Sequence, residues 1–308
     1  MTTVALALPS TVAHAEPTRA ELEKQLDQIS GQLGPVVEQY NKVREELAAS
    51  KATVAALNAE LAPLREQLTA AEARIGAVAA AAYRGGYAST ATMILSSESP
   101  LVLVDQLTLL EAMAADQRRD LAAVTAAKTP LDARKADLDT ILNRQVAQEQ
   151  ELAGKKTQIE TDLKRVRDLR TRLYGAASQP AGRYTGPPPP YVAGKAGVAV
   201  RYAYDQIGKP YQWATAGPNG FDCSGLVLAS WRAAGTTLRH NTVMQYNDLP
   251  HVGKADLKPG DVVFFYADLH HNGLYIGDNK IIHAPTFGQT IAIVSLDSFP
   301  WAGAARPS

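Results

Sequence analysis

The chain has 308 residues and equal numbers of basic and acidic side chains, 31 of each, so it exceeds one typical domain and offers no bulk electrostatic attraction for nucleic acid. Its single cysteine excludes an internal disulfide framework, which leaves that thiol either buried and inert or reactive. All three Trp (Trp213, Trp231, Trp301) and all five Phe (Phe221, Phe264, Phe265, Phe287, Phe299) lie in the C-terminal third, which therefore holds the bulky core.

Residues 1–17 read as a signal-peptide remnant or a disordered end. An apolar stretch runs into Ala13-His14-Ala15, the small-residue pattern before a secretory cleavage point, but no basic segment precedes it. No later run of about 18 apolar residues predicts a transmembrane helix.

From Leu22 the apolar positions step alternately by four and three: Leu22, Leu26, Ile29, Leu33, Val36, Tyr40, Val43, Leu47, then Val54 through Ala82. Only Ser50 interrupts this seam, about sixty residues and roughly 90 Å of coiled-coil helix, with kinks expected at Pro35 and Pro63. A second arm keeps a seven-residue period through Leu131, Leu138, Gln145, Leu152, Ile159, Val166 and Leu173, with mostly polar companions at Lys135, Leu142, Glu149, Lys156, Leu163 and Arg170. An antiparallel hairpin over 18–175 is the simplest packing, and pairing between chains stays open. Around 85–115, Met93-Ile94-Leu95 and the stretch from Leu101 to Leu110 carry more apolar surface than a hairpin tip needs. They form either a small helical cap or a docking surface for a partner protein. Residues 176–193 are a Pro- and Gly-rich spacer stiffened by Pro187-Pro188-Pro189-Pro190.

Residues 194–308 predict an α+β domain. Leu226, Val227, Ser230, Trp231 and Ala234 give a helical stripe ending near Gly235, with Asp222 as cap and Cys223 in the first turn. There the helix dipole and unpaired N–H groups favour a thiolate and could hold an oxyanion. About four short strands follow as a meander: Val262 to Tyr266, His271 to Gly277, Lys280 to His283, and Thr290 to Val294. A cysteine nucleophile needs an imidazole and a third polar group to fix its tautomer, roles open to His271 and His283, whereas His14, His240 and His251 read as structural. A two-residue turn at Asp278-Asn279 would put His271 and His283 on opposite faces, so both can serve only if a bulge intervenes. The spacing shows no metal site, and no cofactor is expected.

Residues 194–305 resemble the NlpC/p60 superfamily of bacterial cell-wall cysteine peptidases. The matching strings are Pro210-Tyr211-Gln212-Trp213, Phe221-Asp222-Cys223-Ser224-Gly225-Leu226-Val227, Gln245, Lys258-Pro259-Gly260-Asp261-Val262-Val263-Phe264-Phe265, His271-Asn272-Gly273-Leu274-Tyr275-Ile276-Gly277 and Ile282-His283-Ala284. The resemblance implies a papain-like fold, with Cys223 as nucleophile, His271 rather than the adjacent His270 as general base, and His283 as orienting residue. It places Tyr211, Trp213, Asp222 and Ser224 around the site. It implies cleavage of peptidoglycan stem peptides between D-glutamate and meso-diaminopimelate by a secreted, wall-associated enzyme. With the long arms, the chain is similar to Rip-type division-associated endopeptidases. That implies docking of the tip around Leu101 to Leu110 on a division-site membrane complex of the ABC-transporter type, and shielding of Cys223 at rest. A noncatalytic coiled-coil adaptor, or a thiol amidase or acyl transferase acting on another wall bond, are the alternatives. The family often has Gly-Gly after the Trp, where this chain has Ala214-Thr215.

Overall fold

The computed structural model describes residues 17–81, 83, 84, 92, 100–175 and 184–308. Gly85-Gly86-Tyr87, Met93-Ile94-Leu95, the turn before Pro100, the signal remnant up to residue 16 and linker residues 176–183 lie outside them. The chain forms two compact units, one of residues up to Glu45 with those from Glu151 onward, the other Glu46–Gln150.

The arms are two helices, α1 (Arg19–Ala81) and α2 (Pro100–Tyr174), and α1 runs through Pro35 and Pro63 without a break in helix. The apolar stretch after Pro100 is the start of α2. In the Glu46–Gln150 unit the pairs Lys51–Glu149, Glu60–Arg134 and Arg74–Asp120 join the helices with partner numbers falling as the first rise, an antiparallel pairing. The break at Ser50 has a partner, since its hydroxyl donates to Gln148 Oε1 at 3.3 Å. The second seam differs from its sequence reading on one side. Lys135, Leu142, Glu149 and Lys156 are exposed, whereas Ile141, Gln148 and Lys155, one residue earlier, turn inward. Val104, Leu107 and Leu109 are more than half exposed.

In the other unit, the first turns of α1 and the last turns of α2 share a cluster of Leu26, Leu33, Val37, Ile159, Leu163, Val166 and Leu169. Trp213 and Phe287, from two loops of the C-terminal fold, pack against the same cluster. That fold contains α3 (Gly194–Asp205), α4 (Cys223–Ala233) and α5 (Thr242–Asp248). They precede strands β1 (His251–Val252), β2 (Val262–Phe265), β3 (His271–Gly277), β4 (Lys280–His283), β5 (Ala292–Ser295) and β6 (Trp301–Ala305). The sheet order is β1-β6-β2-β3-β4-β5, all neighbours antiparallel. The expected four-strand meander is β2 to β5; β6 returns to the far edge of β2 and admits the two-residue β1 beside it. α3 and α4 cover one face, burying Leu226, Val227 and Trp231 against Phe264, Leu274 and Ile282. Val262 to Phe265 is buried throughout, as its unbroken apolar run requires.

The turn between β3 and β4 decides where the histidines point. Asp278 and Asn279 both have positive φ, at 50° and 55°, as a two-residue type I′ turn demands. Gly277 pairs with Lys280, but the next pair is Tyr275 with Ile281, so Ile276 is an extra residue and the register shifts. Leu274 then faces Ile282, and extending that register by one step brings Gly273 beside His283. His271, two residues from Gly273, thus shares a face with His283. This is the bulge the sequence demanded. Gly273 is needed between the two, because a Cβ there would lie 3.3 Å from His283 Cβ and 3.1 Å from Ile282 O.

Asp261 and Arg306 pin β2 to β6. The Arg306 guanidinium donates to both carboxylate oxygens at 2.7 Å, and Lys258 N donates to Oδ2 at 2.7 Å. Asp261 is 2% exposed, while the Arg306 side chain is 35% exposed. Arg306→Ala strands a buried carboxylate and is expected to cost about 3–5 kcal/mol. Asp261→Ala leaves a guanidinium that water can reach, and should cost about 2 kcal/mol. Urea unfolding followed by Trp fluorescence should rank them in that order; equal costs would refute the argument.

Candidate functional site

Cys223 opens α4. Asp222 is the cap, its Oδ1 accepting from Gly225 N at 2.7 Å. Cys223 is buried and lines a cavity of about 310 Å³ together with Tyr211, Tyr266, His270, His271, His283 and Phe299. Within it, His271 Nε2 and His283 Nδ1 are 2.9 Å apart. Phe299 packs on both rings, with centroids 5.1 and 5.2 Å away. Burial holds His271 well below the usual histidine range, helped by the neighbouring His283 and His270, and burial takes His283 down to about 4. Both rings are therefore neutral at neutral pH.

His270 occupies a different setting. It stacks on Tyr266 with centroids 4.2 Å apart, and its Nδ1 lies 2.5 Å from Asp268 Oδ1. Its backbone carbonyl accepts from Cys223 Sγ at 3.9 Å. The structure thus brings Cys223, His271, His283 and Tyr211 to one cavity. Trp213 does not line it, contrary to the sequence reading. It packs edge-on to Tyr40 of α1, with centroids 5.2 Å apart, because the apolar cluster of the arms offers it a dry surface. Ser224 and Asp222 do adjoin the thiol, but both are fully buried and committed to other partners.

Those partners come from α1. Glu38, 4% exposed, reaches the start of α4. Its Oε1 accepts from Ser224 Oγ at 2.7 Å and from Cys223 Sγ at 3.6 Å. Its Oε2 accepts from Thr242 N at 2.8 Å, Asn241 Nδ2 at 3.0 Å and Thr242 Oγ1 at 3.1 Å. One turn on, Asn41 Nδ2 donates to Asp222 Oδ2 at 3.0 Å. Arg44 donates to Ala214 O at 2.9 Å and to His240 Nδ1. A guanidinium has only donors, so His240 accepts through Nδ1 and donates its Nε2–H to Asp222 Oδ1 at 2.7 Å. Burial would push the Asp222 carboxyl up, but His240, Asn41 and Gly225 N outweigh it and hold it below the usual range. Glu38 is raised, by burial first and then by the Asp222 charge.

The thiol departs from the expectation set by its helix. Burial, then Glu38, then Asp222 push Cys223 well above the usual thiol range, and the donor from Ser224 does not offset them. The helix start favours a thiolate only where no carboxylate stands against it.

Ala214 occupies the loop where the family often has glycine. Its φ is 54°, the left-handed region, which explains why glycine suits the position and shows that this chain carries local strain there. Gln245 ties the site together, its Nε2 donating to Ser224 O at 3.0 Å while its Oε1 accepts from Asn272 Nδ2 at 2.7 Å. The sequence reading passed over Glu38, Asn41, Arg44, Asn241 and Thr242, and took His240 as structural. Val37 was the available signal: an apolar residue beside the seam position Val36 marks a helix with a second buried face. Among the described residues there is no group of three or more His, Cys, Asp or Glu placed to hold a metal, and no helix is long and apolar enough to cross a membrane.

The profile of the NlpC/P60 family matches residues 208–305. A "Probable endopeptidase", Rv2190c of Mycobacterium tuberculosis, is 31% identical over 270 residues, covering 72% of this chain and 70% of that protein. The chain belongs to the NlpC/P60 family. The murein DD-endopeptidase MepH of Escherichia coli is 37% identical over 113 residues, covering 34% of this chain and 41% of its own. A solved structure of the peptidoglycan hydrolase RipB of M. tuberculosis aligns at 26% identity and TM-score 0.34, covering 36% of this chain and 64% of that one.

Proposed function

We propose that the protein is a peptidoglycan hydrolase, a cysteine endopeptidase acting on stem peptides. The observation that carries this is the bulged β3–β4 hairpin, which sets His271 and His283 on one face of a cavity that Cys223 also lines. Cys223 attacks the peptide carbonyl. His271 takes the thiol proton through Nδ1, since Nε2 is engaged with His283, and returns it to the leaving amine. The N–H groups at the start of α4 face the developing oxyanion, and hydrolysis of the thioester completes the cycle. The bond is that between D-glutamate and meso-diaminopimelate, outside the cytoplasm, in cell separation; the names of the relatives support endopeptidase chemistry only, MepH being named for a DD bond. Digestion of purified sacculi, with products identified by mass, tests it. Products cut at another bond would transfer the thiol chemistry to an amidase or acyl transferase, and no product from the native chain beyond that of Cys223→Ala would leave the adaptor.

The arms regulate the enzyme, because Glu38, Asn41 and Arg44 of α1 occupy the groups around the nucleophile. The exposed Val104, Leu107 and Leu109 suit docking on a division-site membrane complex of the ABC-transporter type. Leu107→Ser with Leu109→Ser is expected to leave hydrolysis by purified protein unchanged and to block separation of cells carrying it. Normal separation would exclude this surface.

A further inference from the structure

Cys223 Sγ has two acceptors within reach, Glu38 Oε1 at 3.6 Å and the His270 carbonyl at 3.9 Å. Both stabilise the protonated thiol, and with Glu38 ionised neither can donate to a thiolate. We propose that Glu38 is an intramolecular inhibitor that works by charge as well as by cover, keeping the proton on the Cys223 sulfur while α1 is docked. This rests on the reading of Cys223 as the nucleophile, and it assigns the resting control of that nucleophile to one carboxylate.

Among the groups around Glu38, His240 opposes that charge, but only after burial and Asp222 have raised the carboxyl. Facing the sulfur are Asp222 from the start of α4, the neutral His271 and His283 from β3 and β4, His270, and the phenol of Tyr211. Arg44 and Glu45 of α1 turn away from the sulfur. Arg44 bonds Ala214 O and His240, and Glu45 accepts from His240 N at 3.3 Å. His240 in turn is spent on Asp222. The high position of the thiol, with Glu38 named among its causes, agrees with this arrangement.

Cover alone accounts for less. Beside the thiol the cavity of about 310 Å³ remains, because α1 crosses it with Ser30, Gly31 and Gly34. A Cβ at Gly34 would already lie 3.2 Å from His270 Cδ2, so larger residues there would close the space. α1 thus leaves room next to the sulfur while holding a carboxylate against it. Apart from Asn41 Nδ2 on α1 itself, 3.4 Å from Oε1, the donors on Glu38 come from Ser224, Asn241 and Thr242, outside α1, so lifting the helix removes the charge and uncovers the site in one step.

The test is alkylation of the full-length chain by iodoacetamide from pH 6 to 10, read by mass at Cys223, with hydrogen exchange of residues 33–45 measured in parallel. Glu38→Gln is expected to lower the midpoint by about one unit or more and to raise the rate near pH 7.5 about tenfold, with exchange of α1 unchanged. Glu38→Ala should give the same midpoint. Asn41→Ala, which loses the bond to Asp222 and the longer one to Glu38 but no charge, should keep that of the native chain. A midpoint unmoved in both Glu38 variants overturns the proposal. So does one that moves equally in Asn41→Ala, or that moves only as α1 loses its exchange protection, since docking and not charge would then be the cause. Alkylation needs no substrate, which separates this from the function. A shifted midpoint without thiol-dependent wall products would refute the proposed reaction alone, and thiol-dependent products with an unmoved midpoint would refute the charge effect alone.

Discussion

Cys223→Ala is expected to lower the release of soluble wall peptides by about 10⁴-fold or more, the scale on which removing a covalent nucleophile acts when positioning and oxyanion donors remain. The argument depends on the substitution being otherwise quiet. The side chain is small, and what it loses is a sulfur at the edge of a cavity, so the cost in stability should stay near 1 kcal/mol. Asp222 still caps α4 through Gly225 N, and Gln245 still holds Ser224 O, so the frame around the missing thiol is unchanged. On the proposed inhibition by the docked arm, the ratio should be read both in the native chain and in a Glu38→Gln background, where it should be larger. Urea unfolding supplies the control. A variant that unfolds like the native chain yet retains more than about a tenth of the activity would remove Cys223 from the reaction.

How much of this site could be read beforehand follows from the range of each interaction. Cys223, its cap Asp222 and the helix behind them are local, set by residues within one turn, and the periodicity of Leu226, Val227 and Trp231 displays them. The pairing of His271 with His283 was half legible. Alternation along two strands shows that an odd residue must be absorbed, but not that Ile276 absorbs it, since Gly277, Asp278 and Asn279 all carry turn signals. β6 escaped because Trp301 to Ala305 has small residues and no alternation, and it becomes a strand only by lying between β1 and β2. Glu38 was the least visible. On a coiled-coil helix a glutamate reads as solvated, and its meaning comes from Ser224, Asn241 and Thr242, 186 to 204 residues away. The high position of the thiol has the same origin: the helix start that favours a thiolate is local, and the carboxylate that opposes it is not.

His283→Ala is expected to lower kcat by about 10²- to 10⁴-fold, the usual range for general acid–base assistance, with KM little changed. For His271 to take the thiol proton at Nδ1, its neutral ring must carry the hydrogen on Nε2, and that hydrogen needs an acceptor. His283 Nδ1, 2.9 Å away, is that acceptor. Position alone is secured elsewhere. Phe299 packs on the His271 ring at 5.1 Å, and Phe265 lies 6.0 Å from it, so the ring should stay in place when its partner is gone. What the substitution removes is the choice of tautomer, after which His271 can carry its hydrogen on the nitrogen that should be empty. Because burial takes His283 down to about 4, it acts near neutral pH as a neutral acceptor and not as a cation. A neutral amide can do the same, so His283→Gln should recover most of the loss. His283→Asp should instead raise the pKa of His271 and move the acid limb of the rate profile to higher pH. A kcat for His283→Ala equal to that of the native chain would show that packing against Phe299 suffices, and a Gln variant no better than Ala would show that the acceptor is not what His283 contributes.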